Sequence, residues 1–146
     1  MKTQKSNPEI GAKGEADITA SLRRTGLWNH KIYNAGWGTP FDKVVVRPHG
    51  GYAIEVKLRD GPTIEYSKIS DSEREGLTKF MTRVGRDYAV IIGIWKTEKF
   101  QRAFLIPWHK VRDAVCSGVR GSIRMEDFPE LPKVSGGWDL SCFRKG

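Results

Sequence analysis

Apolar residues recur with two different spacings along the chain, and each spacing predicts a different kind of element. Over Ile10–Arg24 the alanines and Leu22 are strong helix formers and predict a helix, which Gly26 is suited to end. Alternating strand-forming residues follow in two segments, Phe41–Arg47 and Tyr52–Leu58. The intervening "PHGG" predicts that these two strands form a hairpin.

A capping box predicts the start of a second helix, because Ser70 is followed three residues later by Glu73. This helix continues to about Val84. The stretches "DYAVIIGIW" and "RAFLIPW" have the composition of strands, and a further helix is predicted over Trp108–Cys116. With a short strand in "HKIYNAGWGTP", the order is helix, three strands, helix, two strands. This order predicts an α/β fold with a mixed central β-sheet flanked by helices.

The length of 146 residues predicts a single domain over residues 1–146. We expect residues 1–9 to form a flexible basic arm, and residues 118–146 to form an irregular tail that wraps the domain or mediates association. The longest apolar run, Tyr88–Trp95, suits a buried strand and is too short to span a bilayer. Cys116 and Cys142 stand apart and the N-terminus lacks an apolar signal segment, so we expect a cytoplasmic protein.

The chain carries a net charge of +8, which favours polyanionic partners through long-range attraction and counterion release. The basic residues are spread along the whole chain, and none of the predicted helices is a basic amphipathic helix with a continuous apolar face. We therefore expect DNA as the partner, and neither a membrane nor a small organic cofactor.

The predicted hairpin brings three charged residues together. If residues 48–51 form the loop, Asp42 lies directly opposite Lys57 and diagonal to Glu55. On that register one face of the hairpin carries Asp42, Val44, Val46, Ala53, Glu55 and Lys57.

This charged group has two interpretations. It could be a cross-strand ion-pair cluster on a solvated face, which is the commoner outcome for an isolated Glu-x-Lys in a strand. It could also be a metal site, because apolar residues occur on both faces of the hairpin and buried charges need partners. Carboxylates suit Mg²⁺, and a neighbouring lysine can stabilise the charge that develops when a phosphodiester is hydrolysed.

Glu15 is the acidic residue closest to the inward stripe of the first helix, because it shares a face with Ile18 and Leu22. This position predicts that it points towards the sheet. The alternative is an acid near the start of a helix that the helix dipole stabilises.

The motifs, taken in order, resemble those of a known family. "PFD" followed after 12 residues by "EVK" resembles the signature of the PD-(D/E)XK nucleases. "GAKGE" resembles the acidic helical motif of Holliday junction resolvases, and "YAVIIGIW…AFLIPWHKV" resembles the strand pair of RecU-type resolvases. The resemblance covers Gly11 to Val111, about two-thirds of the chain, and implies a restriction-endonuclease-like core.

By that resemblance Asp42 and Glu55 would bind Mg²⁺, which Mn²⁺ could replace, with help from the Val56 carbonyl. Lys57 would assist catalysis, and Glu15 would complete or bridge the metal shell from the first helix.

The chain departs from the RecU-type pattern at two places. Glu73 stands where RecU-type proteins usually have a glutamine, and it could be a helix cap, a further metal ligand or a partner of Lys57. Only "RPHGG" lies between the hairpin strands, where RecU-type proteins carry a long stalk. In this respect the chain is nearer to the compact archaeal and phage resolvases.

Several basic residues are candidates for contacts with DNA phosphates, although any one of them could simply be solvated. Trp37 in "GWG" could lie against a base or sugar, and a packed aromatic is the alternative. The three histidines are scattered, which argues against a zinc site. The candidate phosphate contacts are Lys5, Lys13, Arg23, Arg24, Lys31, Lys43, Lys68 and Arg74.

These observations predict a Mg²⁺-dependent endonuclease that resolves four-way DNA junctions. Paired symmetric cuts would require two active sites, so we expect a two-fold homodimer. A nuclease for other duplex or branched DNA is one alternative. A basic DNA-binding module without catalysis is the other.

Overall fold

The computed structural model describes residues 7–32, 40–47 and 50–144, and for residues 7–13 and 47 only the backbone. Within these ranges lie the helices α1 (Asn7–Thr25), α2 (Asp71–Val84) and α3 (Trp108–Val115). The strands are β1 (Trp28–Lys31), β2 (Lys43–Arg47), β3 (Gly50–Arg59), β4 (Thr63–Glu65), β5 (Ala89–Lys96), β6 (Gln101–Pro107), β7 (Ser122–Arg124), β8 (Glu130–Leu131), β9 (Lys133–Val134) and β10 (Gly137–Trp138).

Six of these strands form a mixed central sheet in the order β1-β2-β3-β5-β6-β8. The pair β3–β5 is parallel and the other neighbouring pairs are antiparallel. A parallel pair needs a crossover connection, and α2 lies within the connection between β3 and β5. The two remaining pairs, β4–β7 and β9–β10, are small antiparallel sheets.

Helices cover both faces of the central sheet, so the predicted mixed sheet flanked by helices is confirmed. On one face Ile18 and Leu22 of α1 pack against the sheet, together with the C-terminal residues Trp138 and Phe143. On the other face Leu77 of α2 and residues of α3 pack against Ala53, Ile91 and Ile106. Side chains alternate along a strand, so neighbouring residues of β3 face different helices.

The start of α2 has the predicted capping box. The Ser70 side chain accepts a hydrogen bond from the Glu73 N–H at 3.2 Å, and the Glu73 side chain accepts one from the Ser70 N–H at 2.9 Å. Gly85 ends the helix with a φ of 152°, a conformation that favours glycine.

The predicted register of the β2–β3 hairpin is wrong by two residues. Val44 pairs with Ala53, and Lys43 pairs with Ile54, so the next position brings Asp42 level with Glu55 and not opposite Lys57. The reason is that Gly50 and Gly51 belong to β3, not to the loop. A Cβ at Gly51 would lie 2.7 Å from the carbonyl oxygen of Val45, so this close pairing requires a glycine.

The two ends of the chain differ from the sequence predictions. Helix α1 begins at Asn7, so residues 7–9 are helical, and residues 1–6 of the predicted basic arm lie outside the described residues. The segment 118–144, predicted to be irregular, contains the short strands β7–β10 and packs against the domain. Trp138, Leu140 and Phe143 are buried on the α1 side. None of the helices in the described part of the chain is long and apolar enough to cross a membrane.

Candidate active site

Asp42 ends the pairing of β2 with β3. Its N–H donates to the Ile54 carbonyl at 3.0 Å, while its own carbonyl accepts from Ile32 of the β1 side at 2.9 Å. Its carboxylate oxygen Oδ2 then accepts a hydrogen bond of 2.7 Å from the N–H of Val56. A side chain therefore takes the place that the next main-chain carbonyl of β2 would have occupied. This holds the Asp42 carboxylate at the edge of β3.

Glu55 is a buried carboxyl group next to Asp42, and only 3% of its surface is exposed. Burial raises the pKa of Glu55 well above its usual range, and the nearby charges of Asp42 and Glu73 raise it further. Among the described residues, the oxygen Oε2 has no hydrogen-bond partner. A buried oxygen without a partner is destabilising by about 1–3 kcal/mol, and more if it is charged. Either a proton or a bound cation at Glu55 would therefore stabilise the site.

Lys57 lies on the same face of β3 as Glu55, and its ammonium group is held by three oxygens. It donates to the carbonyl of Lys68 at 2.8 Å and to Glu73 Oε1 at 2.9 Å, and it lies 3.7 Å from Glu55 Oε1. These contacts fix the charged end of Lys57 beside the carboxylates of Glu55 and Glu73.

Glu73 fills two of the three roles considered from the sequence. Its Oε1 caps α2 through the Ser70 N–H and also accepts from Lys57. Burial alone would raise the pKa of Glu73, but the hydrogen bond and charge of Lys57 outweigh burial, so the pKa is lowered. Glu73 therefore remains an anion that positions Lys57. A direct role as a metal ligand stays a prediction.

The donor atoms around Asp42 fit a hard divalent cation. Because the N–H of Val56 points towards the side of β3 where β2 has ended, its carbonyl points the same way. The Asp42 carboxylate, the unpaired Glu55 Oε2 and this carbonyl are all oxygen donors. In the described part of the chain no three or more His, Cys, Asp or Glu side chains form a metal-binding group. Two carboxylates and a carbonyl suit Mg²⁺, which usually keeps several waters.

Gly76 of α2 contributes to the site, although the sequence analysis did not identify it. A Cβ at this position would clash with the Cβ of Pro40 and would lie 2.6 Å from its carbonyl oxygen. The glycine therefore lets α2, which carries Glu73, approach the segment that leads to Asp42. An isolated glycine inside a helical pattern is the signal that could have indicated this close approach.

The contacts of Glu15 lie on the α1 side of the sheet. Its side chain is 18% exposed and lies 3.6 Å from Lys31, and its charge acts on Lys43. Lys43 pairs with Ile54, which faces α1, whereas Glu55 faces α2. Glu15 therefore lies on the other face of the sheet, and its proposed part in the metal shell stays a prediction.

Among the candidate phosphate contacts, Arg23 and Lys68 are exposed. Lys31 is about half exposed and is the residue paired with Glu15. Lys43 is only 3% exposed, and burial lowers its pKa, so its position is not that of a phosphate contact on an open surface.

Two of the arginines make contacts within the chain. Arg24 donates to the Gly136 carbonyl at 2.8 Å. Arg74 donates to the carbonyls of Tyr66 and Ile69 at 2.7 and 2.9 Å, and so braces the turn before α2. The side chains of Lys5, Lys13 and Trp37 lie outside the described residues.

A comparison with solved structures identifies the fold. The structure of Archaeoglobus fulgidus Hjc, a Holliday junction resolvase from an archaeal hyperthermophile, matches this chain with a TM-score of 0.55. The match covers 80% of this chain and 89% of the archaeal protein, at 20% sequence identity. Neither a family model nor a curated protein sequence matches the chain. The restriction-endonuclease-like fold predicted from the sequence is confirmed by this likeness to an archaeal protein, while the resemblance to RecU-type proteins stays a prediction.

Replacing Glu55 by glutamine should change how stability depends on pH. Because the folded pKa of Glu55 is raised, its contribution to stability is fully present below the ordinary glutamate range and is lost as pH rises through the raised value. Thermal melting of the metal-free protein should therefore show a decline with rising pH that Glu55→Gln removes. Added Mg²⁺ should raise the melting temperature of the wild type at pH 8 and have little effect on the variant.

Glu130→Gln is the control, because Glu130 is an exposed acid paired with Arg102 at 2.8 Å on the edge strand β8. It should keep both the pH-dependent decline and the response to Mg²⁺. Equal responses of wild type and Glu55→Gln to Mg²⁺ would contradict a cation site at Glu55.

Proposed function

We propose that the protein is a Mg²⁺-dependent endonuclease that cleaves branched DNA, with four-way junctions as its preferred substrate. The observation that carries the proposal is the buried carboxylate of Glu55, whose oxygen Oε2 has no hydrogen-bond partner among the described residues. The charge of Asp42 acts on this carboxylate, and its other oxygen, Oε1, lies 3.7 Å from the Lys57 ammonium. An ion-pair cluster on a solvated face would not bury one of its carboxylate oxygens without a partner. The burial of Glu55 therefore favours the metal site over the solvated alternative.

In this proposal each residue of the site has a separate task. Asp42, Glu55 and the Val56 carbonyl would hold Mg²⁺, which would supply charge neutralisation at the phosphate and lower the pKa of a bound water. Lys57 would place its ammonium next to the reacting phosphate and stabilise the negative charge that develops there. Glu73 and the Lys68 carbonyl would keep that ammonium in place.

Two observations support DNA, and branched DNA in particular, as the substrate. The net charge of +8 favours a polyanion. The fold is shared with a solved structure that is named as a Holliday junction resolvase. Two symmetric cuts would require two copies of the site, so we propose that the active form is a homodimer.

The direct test is cleavage of a synthetic four-way junction compared with a linear duplex of the same sequence. The wild type should cut the junction in the presence of Mg²⁺ and cut the duplex more slowly. Asp42→Asn and Glu55→Gln should each reduce cutting by about 100-fold or more while leaving binding to the junction intact.

Glu130→Gln should cut like the wild type. Equal cutting of junction and duplex would indicate a nuclease for other DNA. If the wild type binds DNA but never cuts it with Mg²⁺ or Mn²⁺, the protein is a DNA-binding module and the proposal is wrong.

A pair of variants separates the two contacts of Glu73. Glu73→Gln keeps an oxygen for the Ser70 N–H, since glutamine also forms capping boxes, but it removes the negative charge beside Lys57. We expect cleavage to fall about 10- to 100-fold with little change in thermal stability.

Ser70→Ala is the matched variant, because it removes the other half of the cap and keeps the charge of Glu73. Stability should fall by about 0.5–2 kcal/mol in denaturant unfolding, while cleavage stays within a few-fold of the wild type. If Glu73→Gln cleaves at the wild-type rate, Glu73 is only a helix cap.

A further inference from the structure

The loop of residues 117–121, between α3 and β7, is fixed at both ends. At its start the Ser117 hydroxyl donates to the Ala114 carbonyl at 2.7 Å and accepts from the Val119 N–H at 3.2 Å. At its end the Gly121 carbonyl accepts from the Tyr66 N–H at 2.9 Å. A Cβ at Gly121 would lie 2.5 Å from the Tyr66 ring, so the ring packs directly on the backbone. The loop therefore has a defined conformation.

This loop presents one apolar and one cationic side chain to solvent. Val119 is 69% exposed, and Arg120 is exposed beside it. A single exposed valine is ordinary on a protein surface. Beside an arginine on an anchored loop, however, it forms the combination of apolar and cationic side chains that DNA minor grooves accept.

The loop forms one wall of an open groove of about 460 Å³. Tyr66, Ser67 and Arg74 also line this groove. Glu65 also lines the groove, but its carboxylate is paired with Arg59 at 2.8 Å. The groove therefore carries net positive charge, which suits an anionic ligand.

The groove is connected to the candidate active site through the segment 66–68. Tyr66 and Ser67 line it, and the next residue, Lys68, provides the carbonyl that accepts a hydrogen bond from Lys57. The groove and the Lys57 ammonium therefore lie on either side of the segment 66–68.

We propose that this groove and loop hold the duplex arm next to the phosphate that is cut. Arg120 contacts a backbone phosphate, and Val119 lies against the sugars of the adjoining minor groove. The inference rests on the proposed function and adds a DNA contact contributed by the C-terminal third of the chain.

The test is binding of the protein to a synthetic four-way junction, measured over a range of salt concentrations with Ca²⁺ in place of Mg²⁺. Arg120→Ala should reduce the salt slope by about 1. At about 0.1 M salt the affinity of Arg120→Ala should be about eightfold lower than that of the wild type. This is the effect that one phosphate contact has on affinity between about 1 M and about 0.1 M salt. Arg120→Lys should recover most of the affinity, and Val119→Glu should weaken binding further than Val119→Ala.

Arg144→Ala is the control, because Arg144 is an exposed arginine whose neighbour Phe143 packs on the α1 side of the sheet. It removes the same charge and should leave the salt slope unchanged. An unchanged slope in Arg120→Ala, or an equal loss in both variants, would overturn the inference. If the wild type still cuts the junction, the proposed function survives that result. A wild type that neither binds nor cuts the junction would overturn both.

Discussion

The hydrogen bond from the Val56 N–H to Asp42 Oδ2 is the contact on which the geometry of the site depends. It lies where β2 stops pairing with β3, so a carboxylate occupies the position of a main-chain carbonyl. Had the pairing continued, the Val56 carbonyl would have been taken by a ladder hydrogen bond. Because the pairing stops here, three oxygen donors lie near one another along β3: the Asp42 carboxylate, the Glu55 carboxylate and the Val56 main-chain carbonyl. Glu55 and Lys57 follow on the face towards α2 because side chains alternate along the strand.

The second constraint is the cover that α2 provides. Gly76 allows close contact with Pro40, and Glu73 at the start of the helix holds the Lys57 ammonium. The same cover buries Glu55 and leaves one of its oxygens without a partner. A site of this kind lowers the stability of the metal-free protein at neutral pH and would recover it when a cation binds. In the proposed function, the Glu55 carboxylate thus affects both the stability of the protein and the binding of the cation.

Much of the fold could be predicted because the helical and strand periods are clear in the sequence, and the capping box at Ser70 marked the start of α2. The faces of the β2–β3 hairpin were also predictable, but its register was not, since a shift of two residues leaves every side chain on the same face. Glu15 was correctly placed near the inward stripe of α1. The sequence does not indicate which face of the sheet the stripe covers. The choice of face decides whether Glu15 can reach Glu55. The tail had no period because most of its buried residues lie in elements of two to four residues, such as the strand that contains Trp138 and the 3-10 helix that contains Phe143.

The central claim is that Asp42, Glu55 and the Val56 carbonyl form a single cation site, and a crystal soaked in Mn²⁺ tests it most directly. An anomalous difference map should show one strong peak within coordination distance of all three groups, and this peak should be absent in Glu55→Gln. A saturating soak that leaves this position empty would contradict the account.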